Sequence, residues 1–424
     1  MPMTIEITKA PYGGTVAAVP SKSHAHRLLI CAALADVDTY ITCGAESDDI
    51  DITSGCLKNL GARLDRDASG FTVKPIAYPM PDGTIKLDCG ESGSTLRFML
   101  PVCCALGASA EFIMRGRLPR RPMEPLLGQL AAHGCEIARD ADGNLKCSGG
   151  LTGGVYEIPG DISSQFISGL LLSLPLINDN SEISVTGKTE SGPYIEMTMD
   201  ALRIFGINID RANDVYKISG GRRYRSPGVV NVEGDWSNAA FWLCAGAIGG
   251  GGITCTGLNL DSGQGDRAVT RLLEEFGANV VFGEHSVTVT PGKLQGIAID
   301  AGDTPDLVPA LSAVAAVAGG ETTIYNAGRL RIKESDRLRA VSETLRTLGA
   351  DINETRDSLL IKGKGALRGG TVSSFADHRI AMMAAITSIV CENPVIITDA
   401  GAVNKSYPGF FTDFEKLGGK TSEI

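Results

Sequence analysis

Among the eleven cysteines of this chain there is no C-x-x-C pair, and only Cys103 and Cys104 are adjacent. An odd, unpatterned set argues against a disulfide framework or a zinc site and for buried, reduced thiols in a cytosolic protein. Histidine is equally scarce. Of the five present, the only close pair is His24 and His26, which two residues apart on a helix point to different faces, so no metal site is expected. Basic residues are in deficit, 39 against 49 acidic ones, for a net charge of −10. That balance argues against a general nucleic-acid surface or an anionic-membrane footprint. The opening stretch MPMTIEITKAPYGG carries neither the basic nor the apolar region of a signal peptide. Apolar runs such as AAFWLCAGAI and VPALSAVAAVA fall short of the ~18 residues that a membrane span needs. A cytoplasmic protein is expected, without metal, membrane or nucleic-acid partner.

Glycines are missing where one motif would need them. In VPSKSHAHR, Lys22 stands between two serines after an apolar run, and Arg27 follows on the first turns of a helix. A nucleotide P-loop would require glycine at Val16 and Ser21. The stretch is therefore suited to an anion without being a nucleotide cradle.

What the chain does have is a sixfold repeat. A helix ending in an apolar residue and glycine, followed by strand, turn and strand, recurs at Gly61, Gly134, Gly206, Gly277, Gly349 and Gly418, at spacings of 73, 72, 71, 72 and 69 residues. Each glycine falls where a helix takes a left-handed residue before the chain enters a strand. In step with this series, a short polar loop opens six times into a strongly apolar helix, marked by Lys22, Gly93, Ser164, Trp236, Pro305 and His378. The unit is thus about 72 residues in βαβαββ order, with one buried and one amphipathic helix. Six helix N-termini in register, each with free N–H groups and a partial positive charge, suit a cleft that collects anions.

Cations are concentrated on those loops. Lys22 and Arg27 lie on the first, Arg97 on GESGSTLRF behind Gly93, and Arg121 on the proline-bounded LPRRPMEPL. Ser163, Ser164 and Gln165 crowd one helix start and offer uncharged hydrogen bonds to a hydroxyl-rich ligand. In LRIKESDRL, Lys333 and Arg337 stand four apart on one helical face with Glu334 beside them. That pattern fits either a solvated charged helix or a site that grips an anion and moves a proton. In ADHR, His378 either caps or packs, and Arg379 either pairs with Asp377 or faces a ligand.

Taken together, PSKSxxxR, the GxxGxxxR loop, SSQF, SGPYIEMT, LRxKESDR, ADHR and NKSYP resemble the 5-enolpyruvylshikimate-3-phosphate synthase family over nearly the whole chain. The resemblance implies an α/β fold of two domains forming an inside-out α/β barrel, three βαβαββ units in each. It implies transfer of the enolpyruvyl group of phosphoenolpyruvate to the 5-hydroxyl of shikimate 3-phosphate, with release of phosphate and no cofactor. Carried over by motif, Lys22, Ser23, Arg27, Ser163, Ser164, Gln165, Ser191, Tyr194, Asp306 and Lys333 would hold shikimate 3-phosphate. Lys22, Gly93, Arg121, Gln165, Arg337, Arg379 and Lys405 would hold phosphoenolpyruvate. Glu334 would be the acid–base group for the methylene carbon, Asp306 the base for the hydroxyl, with Lys22 assisting. Gly93 is the position whose missing side chain admits glyphosate in many members, so inhibition is expected.

The chain departs from the family pattern in four places: Glu91 and Arg329 where asparagine is frequent, Phe98 where proline is common, and HAHR for a more usual Ser-Asn-Arg. A carboxylate at Glu91 would repel phosphoenolpyruvate unless it turned away or paired with an arginine. Two alternatives stand beside this reading. One is the related enolpyruvyl transferase acting on UDP-N-acetylglucosamine, whose loop cysteine has no counterpart in GRLPRRPMEP; the other is a non-catalytic anion-binding relative. By the repeats, residues 20–228 form one domain, residues 1–19 with 229–424 form the other, and the active site lies in the cleft between them. A monomer is expected.

Overall fold

The computed structural model describes residues 3–44, 47–77, 80 and 83–424. Among these, the strands form six four-stranded sheets of one design. In one of them, Ile85–Gly90 runs parallel to Ala110–Met114, which pairs antiparallel with Leu145–Gly149, which pairs antiparallel with Cys135–Arg139. The parallel step needs a crossover, and the apolar helix Gly93–Leu106 supplies it. The hairpin then closes the unit. This is the βαβαββ order of the repeat.

Both sequence series land on structure. Lys22, Gly93, Ser164, Trp236 and His378 are the first residues of α-helices, and Pro305 opens a 3-10 turn leading into Val308–Ala315. The six repeat glycines have φ of 102°, 99°, 77°, 97°, 105° and 100°, a region any side chain would strain. Polar side chains cap four of the buried helices: Ser92, Ser163, Asp235 and Asp377 each accept an N–H of the first turn.

The chain divides into two compact units, Met1–Ser21 with Glu233–Ile424, and Lys22–Val232. In each, three apolar helices are buried beneath three sheets, which is the inside-out α/β arrangement. Within the Lys22–Val232 unit these helices are Lys22–Ala33, Gly93–Leu106 and Ser164–Ser173. Within the other they are Trp236–Ile248, Val308–Ala315 and His378–Thr387. Leu28, Leu100, Leu171, Leu243, Leu311 and Ile386 have no exposed surface, each stabilising its unit by about 1.5–3 kcal/mol.

Three strands leave the simple repeat. Val229–Asn231 lies beside Thr39–Thr42, completing the first sheet of the Lys22–Val232 unit. Gly14–Ala17, which precedes Lys22 in the chain, instead pairs with Ile253–Thr256. Ile5–Thr8 sits between Val395–Thr398 and Lys420–Glu423, so the last sheet needs the first strand of the chain.

One element differs from the sequence reading. Lys333 and Arg337 do not share a helical face. Gly328–Ile332 is a 3-10 turn, Lys333 is extended, and the α-helix begins only at Arg337. Asp336 is responsible: its carboxylate caps Arg339 N–H at 3.1 Å and receives Arg331 Nη1 on both oxygens, at 3.0 and 2.9 Å. A capping residue holds non-helical backbone, so the helix cannot extend back through it.

Candidate active site

In the Lys22–Val232 unit most of the expected site residues sit at helix starts, while Arg121 follows the 3-10 turn Leu118–Arg120. Lys22 opens its helix and places Nζ 2.8 Å from Asp49 Oδ2, with both side chains largely buried. Arg27 lies one turn deeper. Its Nε donates to Thr198 Oγ1 at 2.7 Å, Nη1 to the Ser23 carbonyl at 2.6 Å, and Nη2 to the Tyr194 carbonyl at 2.9 Å. The guanidinium also lies 4.9 Å from the centre of the Phe98 ring. Burial draws Arg27 down to about 10, so it stays charged at neutral pH. It therefore joins Ser23 to the start of the Gly192–Ile204 helix. Ser191, which immediately precedes that helix, is buried in left-handed backbone at φ 55°. Non-glycine residues hold that conformation at a cost of about 1–3 kcal/mol, and such strain gathers at ligand sites.

The Gly93 loop is tied to the Ser163–Gln165 helix start. Gln165 Nε2 donates to Ser94 Oγ at 2.8 Å, and Gln165 Oε1 accepts from Arg97 Nη1 at 2.7 Å. Arg97 also donates to the Pro122 carbonyl at 2.9 Å, next to Arg121. A Cβ on Gly93 would lie 2.6 Å from Arg121 Nη1, so the bare α-carbon is what lets this guanidinium approach. Glu91 turns towards Gly116, where an added Cβ would meet its Oε1 at 1.7 Å.

The other unit gathers three acids and three bases. Arg337, 1% exposed, donates to Asp306 Oδ1 at 2.8 Å, Glu334 Oε2 at 2.7 Å and Asp377 Oδ2 at 2.9 Å. Arg379 Nη2 reaches Asp306 Oδ2 at 3.0 Å, and Lys333 Nζ lies 3.9 Å from Asp306 Oδ1. Charges balance, as burial requires. Burial alone would raise the Asp306 carboxyl, but Arg379, Lys333 and Arg337 outweigh it and hold it well below the usual carboxylate range. Burial draws Lys333 down to about 8 against the pull of Asp306. Lys405, at the end of the 3-10 turn Ala400–Lys405, is buried in the same unit.

The sequence reading gave Asp377 no site role and offered it as a partner for the Arg379 side chain. The structure sends that side chain to Asp306, while Asp377 accepts only the Arg379 backbone N–H, at 3.0 Å. Asp377 instead anchors Arg337 and Ser335. It follows Phe375 and Ala376, both left-handed at φ 55° and 53°. Asp49 and Thr53 were also missed. They stand in DDIDITSG, which reads as the solvated first turns of a helix, and only their long-range partners reveal them.

Three comparisons bear on this geometry. A family model described as EPSP synthase (3-phosphoshikimate 1-carboxyvinyltransferase) matches residues 8–414. A 3-phosphoshikimate 1-carboxyvinyltransferase of Clostridium kluyveri is 41% identical, covering 99% of this chain and 98% of its own; one of Clostridium perfringens is 42% identical, covering 97% and 98%. An EPSP synthase structure from Acinetobacter baumannii superposes with a TM-score of 0.82 at 24% identity, over 99% of this chain and 100% of that one. The enolpyruvyl transferase NikO from Streptomyces tendae reaches 0.81 at 19% identity, over 100% and 98%, so the fold is shared with an enolpyruvyl transferase of different description. The full-length family match, with relatives above 40% identity, shows that the chain belongs to the EPSP synthase family.

Proposed function

We propose that the residues gathered in each unit serve one pair of substrates, phosphoenolpyruvate and shikimate 3-phosphate. The chain is a transferase of the carboxyvinyl group, converting these to 5-enolpyruvylshikimate 3-phosphate and phosphate in the shikimate pathway. In this reading Lys22, Ser23, Arg27, Ser163, Ser164, Gln165, Ser191, Tyr194, Asp306 and Lys333 receive shikimate 3-phosphate. Lys22, Gly93, Arg121, Gln165, Arg337, Arg379 and Lys405 receive phosphoenolpyruvate.

The observation that carries the mechanism is the convergence of Asp306, Glu334 and Asp377 on Arg337. As phosphoenolpyruvate draws Arg337 to its own anions, Glu334 takes up a proton and gives it to the methylene carbon, leaving C2 cationic. The 5-hydroxyl adds to C2 as Asp306 takes its proton. The Arg337 N–H on Glu334 Oε2 stabilises the carboxylate left behind. Glu334 then recovers a proton from the methyl carbon as the C2–O bond to phosphate breaks, the proton held by Asp306 passes to the departing phosphate, and the cations stabilise the departing charge. Asp306, held ionised by three cations, is a weak base until they are drawn off. Phosphoenolpyruvate supplies the competing anions, because its charges suit Arg337 and Arg379, so donor binding raises the proton affinity of Asp306. The protein works as a cytoplasmic monomer, and glyphosate competes with phosphoenolpyruvate.

Glu334→Gln tests the assignment. It is expected to lower kcat by at least about 100-fold, the usual worth of a positioned acid–base group, while calorimetry still registers both substrates. Turnover within a few-fold of wild type would remove Glu334 from the mechanism.

A further inference from the structure

A line of hydroxyl groups inside the Lys22–Val232 unit takes no part in the mechanism above. His26 is 1% exposed on the helix that carries Lys22, Ser23 and Arg27. Its Nδ1 lies 2.7 Å from Thr53 Oγ1, Thr53 Oγ1 lies 2.7 Å from Thr95 Oγ1, and Thr95 Oγ1 donates to Ser92 Oγ at 2.8 Å. Each hydroxyl has one hydrogen. Thr95 gives its hydrogen to Ser92, so Thr53 must give its own to Thr95. The hydrogen in the first bond then has to come from His26. The imidazole is therefore the Nδ1–H tautomer, and the line points one way, from His26 to Ser92.

The rest of the surroundings agree. His26 Nε2 is buried without a hydrogen-bond partner among the described residues, and the ring edge meets Phe98 at 6.4 Å and 82°. A proton on Nε2 would have no acceptor, and burial draws His26 down to about 4. The imidazole is held neutral. At the far end, Ser92 caps the helix that opens at Gly93, and Ser94 and Gly93 meet Gln165 and Arg121. At the near end, Lys22 grips Asp49, one turn before Thr53 on the same helix.

We propose that His26 is a positioning residue that fixes the Ser92–Ser94 loop relative to the Lys22–Arg27 helix, through a directed chain of Thr53 and Thr95 hydroxyls. Residues assigned to acceptor binding lie on one end and residues assigned to donor binding on the other. The inference rests on that assignment for its kinetic consequence, though not for its structural one. Phe98 belongs to the same device, its ring nearly perpendicular to that of His26 and its face beneath Arg27.

The experiment uses the full chain with Thr53→Val, which keeps shape and removes both of its bonds, and His26→Asn, which keeps a short polar group there. In ¹⁵N NMR, wild-type His26 should show the Nδ1–H tautomer without titrating between about pH 6 and 8, as a buried neutral imidazole does. Thr53→Val should change that signature. With the fold verified by thermal melting, Thr53→Val should raise KM for phosphoenolpyruvate by about five- to tenfold, the scale on which lost hydrogen bonds are felt, leaving kcat and KM for shikimate 3-phosphate within about twofold. His26→Asn should recover most of the donor KM. An Nε2–H tautomer in the wild type, or a Thr53→Val enzyme with unchanged or equally raised KM values, overturns the proposal. A wild type that shows the expected tautomer yet turns over neither substrate overturns the functional reading instead.

Discussion

Arg337 shows how a single residue is committed by its neighbours. Its guanidinium fork meets three carboxylates from three separate stretches of chain, and 1% of it is exposed. Removing one member of such a set leaves a buried charge without its partner, at a cost of about 3–5 kcal/mol. Lys333, at the edge of the cluster, is the member that titrates in an accessible range. Its folded value of about 8 lies below the ordinary lysine value, so the folded protein releases this proton first as pH rises. Between about 8 and the unfolded value, the unfolded chain holds more protons, and stability from this group increases with pH. Binding runs the opposite way, because a neutral Lys333 no longer attracts an acceptor phosphate. The ratio kcat/KM for shikimate 3-phosphate should therefore fall as pH passes about 8, and Lys333→Arg should remove the fall. An unchanged profile in that variant would free Lys333 of the role. At Gly93 the decisive neighbour is Arg121, 2.6 Å from where a Cβ would stand. Gly93→Ala should displace this guanidinium and raise KM for phosphoenolpyruvate on the order of tenfold, equivalent to ~1.4 kcal/mol. An unaltered KM would show that Arg121 yields without cost.

At the scale of elements, the repeat glycines do the same backbone work in different surroundings. At Gly206, φ is 77° and an added Cβ would make only an ordinary contact with Arg225, at 3.6 Å. At Gly277, φ is 97° and the Cβ would sit 2.5 Å from the Lys293 carbonyl oxygen. Gly206→Ala should therefore cost about 1 kcal/mol from conformation alone. Gly277→Ala should cost more, seen as a lower denaturation midpoint; equal midpoints would contradict the steric half of the argument. These elements were legible in the sequence because their signals are local. A polar loop opening into an apolar helix, and a glycine ending an amphipathic one, are each read within a few residues, so six helix starts and six left-handed glycines could be placed in advance. The LRIKESDR stretch misled for a physical reason: its charge spacing is helical, but Asp336 caps the next helix, so the chain before it is a 3-10 turn through Ile332 and leaves helical backbone at Lys333.

At the scale of the whole molecule, legibility ends where partners are far apart in sequence. Asp49 lies 27 residues from Lys22, and Asp306 lies 73 from Arg379. No periodicity records such pairs, and the hydroxyl line from His26 to Ser92 is of the same kind. The motifs named the groups on each loop, while the fold decided which carboxylate each cation would meet. Within a net charge of −10, the protein sets cations on these loops and balances them internally with acids. In the proposed function those internal acids are the anions that both substrates must displace. The most direct test is phosphate release by the purified chain given phosphoenolpyruvate, with shikimate 3-phosphate or UDP-N-acetylglucosamine as parallel acceptors. Release with shikimate 3-phosphate and none with the nucleotide sugar is the predicted result; release only with the nucleotide sugar, or with neither, would contradict the account.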